Sequence, residues 1–111
     1  MVYRIAAAST DGMMINSHFA QAECFYVYDI AEGRYTFIEK RHIAAALTHS
    51  EAAFDKVRLL LFDCKAIVVE KVGFGAAQYL LEKGLRVFEA PYSVDSVLNK
   101  LAKQRILESN D

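Results

Sequence analysis

The sequence predicts an α/β fold: a mixed five-stranded sheet with one antiparallel strand, set between helices in a three-layer α/β/α arrangement. Three observations carry that expectation. Short apolar runs, β-branched or aromatic, recur at residues 2–8, 24–30, 65–72 and 85–90, the composition of packed strands. From Ser50 onward they alternate with stretches of helical spacing, as parallel strands joined by right-handed crossovers do. Ahead of these, the turn Ala31-Glu32-Gly33-Arg34 is short enough to make 24–30 and 35–41 a hairpin, which places one antiparallel strand in the sheet.

Each element has its own local reason. Residues 2–8 read as a strand buried on both faces. Residues 10–22 form a loop longer than a strand connection needs, and surplus loop is where binding residues concentrate. Glu39, Lys40 and Arg41 at the end of the hairpin suit a sheet edge that must not recruit other strands. Residues 42–49 connect to a helix capped by Ser50, in which Ala53, Phe54, Val57, Leu60 and Leu61 keep helical spacing. Asp63 and Cys64 end it, and 65–72 follows as a buried strand. Gly73-Phe74-Gly75 then turns into a helix over 76–83, closed by Gly84 at the C′ position. After the strand 85–90, Pro91 interrupts and Ser93 caps a last helix with the stripe Val94, Val97, Leu98 and Leu101.

The bulk numbers narrow the class. The chain of 111 residues is expected to be a single domain, 1–111, long enough to bury a core. A net charge of −1 with thinly spread Lys and Arg leaves no electrostatic footprint for nucleic acid. No apolar segment reaches the roughly 20 residues of a bilayer span, and the N-terminus has no signal-peptide pattern. Two cysteines among many core-forming residues make no disulfide framework, so a reduced, cytoplasmic protein is expected, as a monomer.

Topology alone gathers candidate residues. In open α/β sheets, ligands bind outside the carboxyl ends of the parallel strands. Threading the elements in order puts Asp11, His18, Cys24, His42, His49, the Gly73–Gly75 turn and Ser93 at that end, and Cys64 at the other.

Their chemistry leaves alternatives open. His18 on a loop can present a free ring nitrogen to a borderline metal, or simply cap the short turn 18–22. Cys24 offers a soft thiolate, or serves as a small buried hydrophobe at a strand end. Met13 and Met14 offer thioethers or cover an apolar patch. The amides of Gly73 and Gly75 open a helix and would favour an anion, although neither a full GxGxxG nor a Walker Lys-Ser/Thr follows. The two cysteines stand far apart with no CxxC, so a zinc or thioredoxin-type pair is not signalled. Asp11, Asp29, Glu39 and Asp63 fall at different ends of the expected sheet, and no nucleophile–base–orienter order is fixed. An enzyme is not expected.

The loop and the strand after it resemble a known family. Ile5-Ala6-Ala7-Ala8-Ser9 leading to Asp11-Gly12, Ile15-Asn16-Ser17-His18-Phe19 followed by Ala22-Glu23, and Phe25-Tyr26-Val27-Tyr28-Asp29 are similar to the dinitrogenase iron–molybdenum cofactor biosynthesis proteins. That family comprises small NifX- and NafY-like carriers and the C-terminal domain of NifB. The likeness continues through Leu60-Leu61, Asp63-Cys64, Lys71-Val72-Gly73 and Gly84-Leu85-Arg86-Val87, nearly the whole chain. It implies a ribonuclease H-like fold and non-catalytic binding, carriage or insertion of an iron–sulfur or iron–molybdenum cluster. His18 would be the cluster ligand, with Asp11, Gly12, Asn16 and Phe19 of the motif around the cargo. Cys24 and His49 are candidate second ligands, and the Gly73 and Gly75 amides candidate partners of the cluster's negative charge. Cluster-donor and acceptor proteins would be the partners. The chain departs from the family pattern at Ala20, where Gly is usual, and at Cys24, where a basic residue is common.

Two further readings belong to other classes. One is a small anion- or nucleotide-binding regulatory module that uses the Gly73–Gly75 turn, with His18 structural and no metal. The other is an interaction domain with no small ligand.

Overall fold

The computed structural model describes residues 2–43 and 51–104, with the side chains of 51–53 left aside. Five strands, β1 (Tyr3–Ala8), β2 (Cys24–Ala31), β3 (Arg34–His42), β4 (Ala66–Val69) and β5 (Arg86–Glu89), form one sheet in the order β3-β2-β1-β4-β5. β2 is antiparallel to both β1 and β3, whereas β1, β4 and β5 run parallel. The mixed five-stranded sheet with a single antiparallel strand is therefore the one expected. The three α-helices among the described residues are α1 (Glu51–Leu60), α2 (Phe74–Glu82) and α3 (Val94–Lys103). None of the helices in the described residues is long and apolar enough to cross a membrane.

Strand alternation divides the core in two. Ala6, Ala8, Phe25, Val27, Ile67 and Val69 face α1 and α2, meeting Phe54, Val57, Ala76 and Leu80. Ile5, Ala7, Tyr28, Ile30, Ala66 and Val68 face α3, meeting Val94, Leu98 and Leu101. Both faces of the central strands are thus covered, which is why β4 reads as the uninterrupted apolar run Ala-Ile-Val-Val.

Local signals act as expected at most boundaries. Gly84 has φ +85°, and the amides of Gly84 and Leu85 donate to the carbonyls of Leu81 and Leu80, a Schellman closure of α2. Ser93 caps α3, its hydroxyl accepting from the Ser96 amide at 3.1 Å. Glu32 and Gly33 both take positive φ, so the hairpin turn is of the primed type that matches strand twist. Ser50 and His49 lie outside the described residues.

Three details differ from expectation. β4 stops at Val69, because Glu70 and Lys71 turn aside to bond the loop after β1. α2 starts at Phe74, with Gly73 as its N-cap, so Gly75 sits inside the helix. The β2–β3 ladder changes register between Val27 and Tyr28, a bulge that re-aims every later residue of β3.

Candidate cluster-binding cleft

The loop after β1 is built around Ser9, a buried hydroxyl at the end of the strand. Its Oγ accepts from the Gly12 amide at 2.9 Å and donates to the Met14 carbonyl. Asp11 closes a second turn, its carboxylate accepting from the amides of Met13 (2.8 Å) and Met14 (3.1 Å), which hold the carboxyl below its ordinary range. Gly12 has φ +76°, and a Cβ there would stand 2.7 Å from Tyr26 Cε2. Only glycine fits both the backbone and the space. Asn16 then ties the loop across its mouth, accepting from the Thr10 amide at 3.0 Å and donating to the Thr10 hydroxyl at 2.9 Å.

On both sides of Asn16 the chain is clamped beside the carboxyl ends of the parallel strands. The Ile15 amide donates to the Tyr92 carbonyl and the Val94 amide to Met13. The Glu70 amide donates to Ser17 at 3.0 Å, and the Phe19 amide to Lys71 at 2.9 Å. His18 lies between those last two bonds, paired with Lys71. Phe19 is buried against the Phe54 ring at 5.8 Å and opens a single 3₁₀ turn, Phe19–Gln21. Phe19 therefore anchors the loop while its neighbour His18 is presented to solvent, its side chain 50% exposed. His18 Nε2 lies 3.6 Å from Glu70 Oε1, beyond hydrogen-bond length.

The imidazole faces a cleft of about 530 Å³, whose opposite lining comes from the hairpin. Cys24 and His42 are direct partners in the β2–β3 ladder, and both line it. The Cys24 thiol is buried and donates to the Ser9 carbonyl at 3.0 Å. Lys40, stacked 5.3 Å over the Tyr26 ring, is the cationic member of the lining, and Glu23 and Glu70 are the anionic ones. Among the described residues no three His, Cys, Asp or Glu side chains converge on one point as a single metal ion requires.

Of the residues expected from sequence, Asn16, His18 and Cys24 meet in this cleft. Asp11, Gly12 and Phe19 shape the loop but do not line it. Gly73 and Gly75 also lie outside the lining. There the Glu89 carboxylate accepts from the Val72 amide at 2.8 Å, so an internal anion already sits beside the start of α2. His49 lies outside the described residues. Cys64 is at the other end of the sheet, as expected, its thiol pushed up to about 12 by burial and by Asp63. His42, gathered at this end of the sheet from sequence but given no role there, also lines the cleft, and Lys40 and Glu70 are lining residues that sequence reasoning did not single out.

The sequence profile described as "Dinitrogenase iron-molybdenum cofactor" matches residues 1–104. The chain belongs to that family. Among curated proteins it is 21% identical over 113 residues to "FeMo cofactor biosynthesis protein NifB" of Frankia alni, covering 96% of this chain and 22% of that protein. It is 29% identical over 86 residues to "Protein NifY" of Klebsiella pneumoniae, covering 77% of this chain and 37% of that one. The chain thus corresponds to a part of each of these curated relatives. A crystal structure of a candidate dinitrogenase from Methanocaldococcus jannaschii superimposes with a TM-score of 0.63 at 13% identity, over 94% of this chain and 91% of that one. At that identity the two share a fold. Members of the dinitrogenase iron–molybdenum cofactor family thus include proteins named for cofactor biosynthesis, and the His18 loop and the cleft lie inside the matched residues.

Proposed function

We propose that this protein is a non-catalytic carrier that binds an iron–sulfur or iron–molybdenum cluster in the cleft and passes it between a donor and an acceptor protein during cofactor assembly. His18 is the primary ligand. The observation that carries the reading is the presentation of His18: a half-exposed imidazole on backbone pinned on both sides, facing a cleft of about 530 Å³. A neutral imidazole suits borderline metals, and a fixed backbone lowers the entropy lost on ligation. Asn16 keeps the loop closed, and Cys24 supplies a soft donor once its thiol leaves the Ser9 carbonyl. The cargo is carried unchanged, within a single domain of ribonuclease H-like architecture acting in the reducing cytoplasm.

The anion-module reading finds less support. One lysine against two glutamates makes the cleft a poor well for phosphate, and Glu89 already accepts beside the α2 N-terminus. Coordination bonds, which the donor set can form, are a better source of affinity than charge.

The test is an anaerobic titration of the apo-protein and a His18→Ala variant with a [4Fe–4S] cluster and with isolated iron–molybdenum cofactor, read by absorbance and metal analysis. Stoichiometric binding by the wild type, lost in the variant, is expected. Equal binding by both would move the ligand elsewhere, and binding by neither would end the carrier reading for these cargoes.

A further inference from the structure

We propose, building on the carrier reading, that His42 at the end of β3 is a second imidazole ligand, so that one cluster is held at two of its metal atoms by His18 and His42. The two rings reach the cleft from separate elements. His18 hangs from a loop bonded to the end of β4, whereas His42 stands on β3, the outer strand, with β2 and β1 between those two strands in the sheet.

Several observations converge on His42. It is exposed, lines the same cleft as His18, and makes no side-chain hydrogen bond or ion pair within the described residues. Its neighbour across the ladder, Cys24, is a softer donor, but that thiol is buried and committed to the Ser9 carbonyl at 3.0 Å. The imidazole is the donor that is ready. The position itself is a product of the register change. Near the turn, Ala31 pairs with Arg34 and Tyr28 with Phe37; past the bulge, Val27 pairs with Glu39 and Cys24 with His42. Without the extra residue Arg41 would face Cys24. With it, Arg41 turns to the other face of the sheet and bonds Asp63 at 2.6 and 2.8 Å, and His42 takes the cleft.

The spread of the donors identifies the cargo class. Donors for one ion must lie within about 2–2.5 Å of a common point, and no three of the described side chains do. His18 and His42 around a 530 Å³ space instead suit a cargo several ångströms across, with a metal atom at each of two ends. Both ligands are uncharged when bound. The charged groups of the lining, Lys40, Glu23 and Glu70, include more anions than cations, so retention of an anionic cluster falls to the coordinate bonds.

The experiment loads the full chain, labelled with ¹⁵N-histidine, with a [4Fe–4S] cluster under anaerobic conditions. Pulsed electron paramagnetic resonance of the reduced cluster then counts imidazole nitrogen couplings in wild type, His18→Ala and His42→Ala. Two inequivalent couplings are expected in the wild type and one in His42→Ala, with affinity for the cluster in His42→Ala down by at least about tenfold, whereas His18→Ala, without its primary ligand, should retain no cluster and show no coupling. Free imidazole should restore the missing coupling in His42→Ala, which separates loss of a ligand from damage to the fold. If the wild type binds the cluster and His42→Ala keeps both its couplings and its affinity, His42 is not a ligand and the carrier reading stands. A wild type that takes up no cluster overturns both.

Discussion

Replacing Gly12 with alanine should destabilise the protein by two separable effects. At φ +76° an L-residue meets the left-handed penalty of about 1–2 kcal/mol. The new Cβ would also stand 2.7 Å from Tyr26 Cε2 and 3.1 Å from two neighbouring ring atoms. The Tyr26 ring has little freedom to retreat, lying against Phe37 at 6.1 Å with Lys40 over its face. Overlap of this kind costs about 1–3 kcal/mol, so the sum is roughly 2–5 kcal/mol. Gly33 supplies the control. Its φ of +75° carries the same backbone penalty, but a Cβ there meets nothing within 4 Å. Both substitutions stiffen the unfolded chain equally, so that effect cancels in the comparison. Urea denaturation should therefore place Gly12→Ala about 1–3 kcal/mol below Gly33→Ala, and Gly12→Ala should also weaken cluster uptake through the loop that holds Asn16 and His18. Equal loss in the two variants would refute the contact with Tyr26 as the reason for glycine.

Two more outcomes follow from charge. Arg41 and Arg4 hydrogen-bond the Asp63 carboxylate and hold its pKa well below the ordinary value, and Arg4 does the same for Asp29. A folded-state pKa below the unfolded one means stability that is complete above roughly pH 5 and is lost as the pH falls through about 4 and lower. Denaturation midpoints should drop over that window, and Asp63→Asn should be about 1–2 kcal/mol less stable at neutral pH with a flatter acid profile; an unchanged profile would remove this cluster from the acid response. Glu70→Gln takes away the carboxylate 3.6 Å from His18 Nε2 and should tighten an anionic cluster by about 1 kcal/mol, roughly fivefold. Weaker binding in that variant would instead make Glu70 a positioning residue for the imidazole.

The order of the elements along the chain was legible because periodicity and punctuation agree. The uninterrupted apolar run of β4, the Gly84 closure and the Ser93 cap each act over a few residues, so local sequence is enough to find them. The loop wall of the cleft was legible through the Asn16–Phe19 motif, where a buried Phe19 and an exposed His18 are neighbours. The hairpin wall was legible only in part: Cys24 and His42 were both placed at this end of the sheet, but not as partners in one ladder. Which of Arg41 and His42 faces Cys24 depends on one bulge residue in β3, and Phe37-Ile38-Glu39 contains no Gly to mark it. Glu70 was hidden for a similar reason. It continues the β4 run in sequence, and only the long-range bonds to Ser17 and Phe19 turn the chain aside there. The expectation at Gly73 and Gly75 rested on free helix amides, and the Glu89 carboxylate, seventeen residues along the chain from the Val72 amide it accepts from, is invisible to that reasoning.

The most direct measurement is where the cargo sits. ¹⁵N-labelled protein loaded anaerobically with a reduced, paramagnetic [4Fe–4S] cluster should lose the amide signals of Asn16, Ser17, His18, Cys24, His42 and Glu70 to paramagnetic broadening. Those of Cys64 and Gly75 should remain sharp. Broadening centred on Gly73–Gly75, or spread evenly over the chain, would contradict the cleft as the binding site.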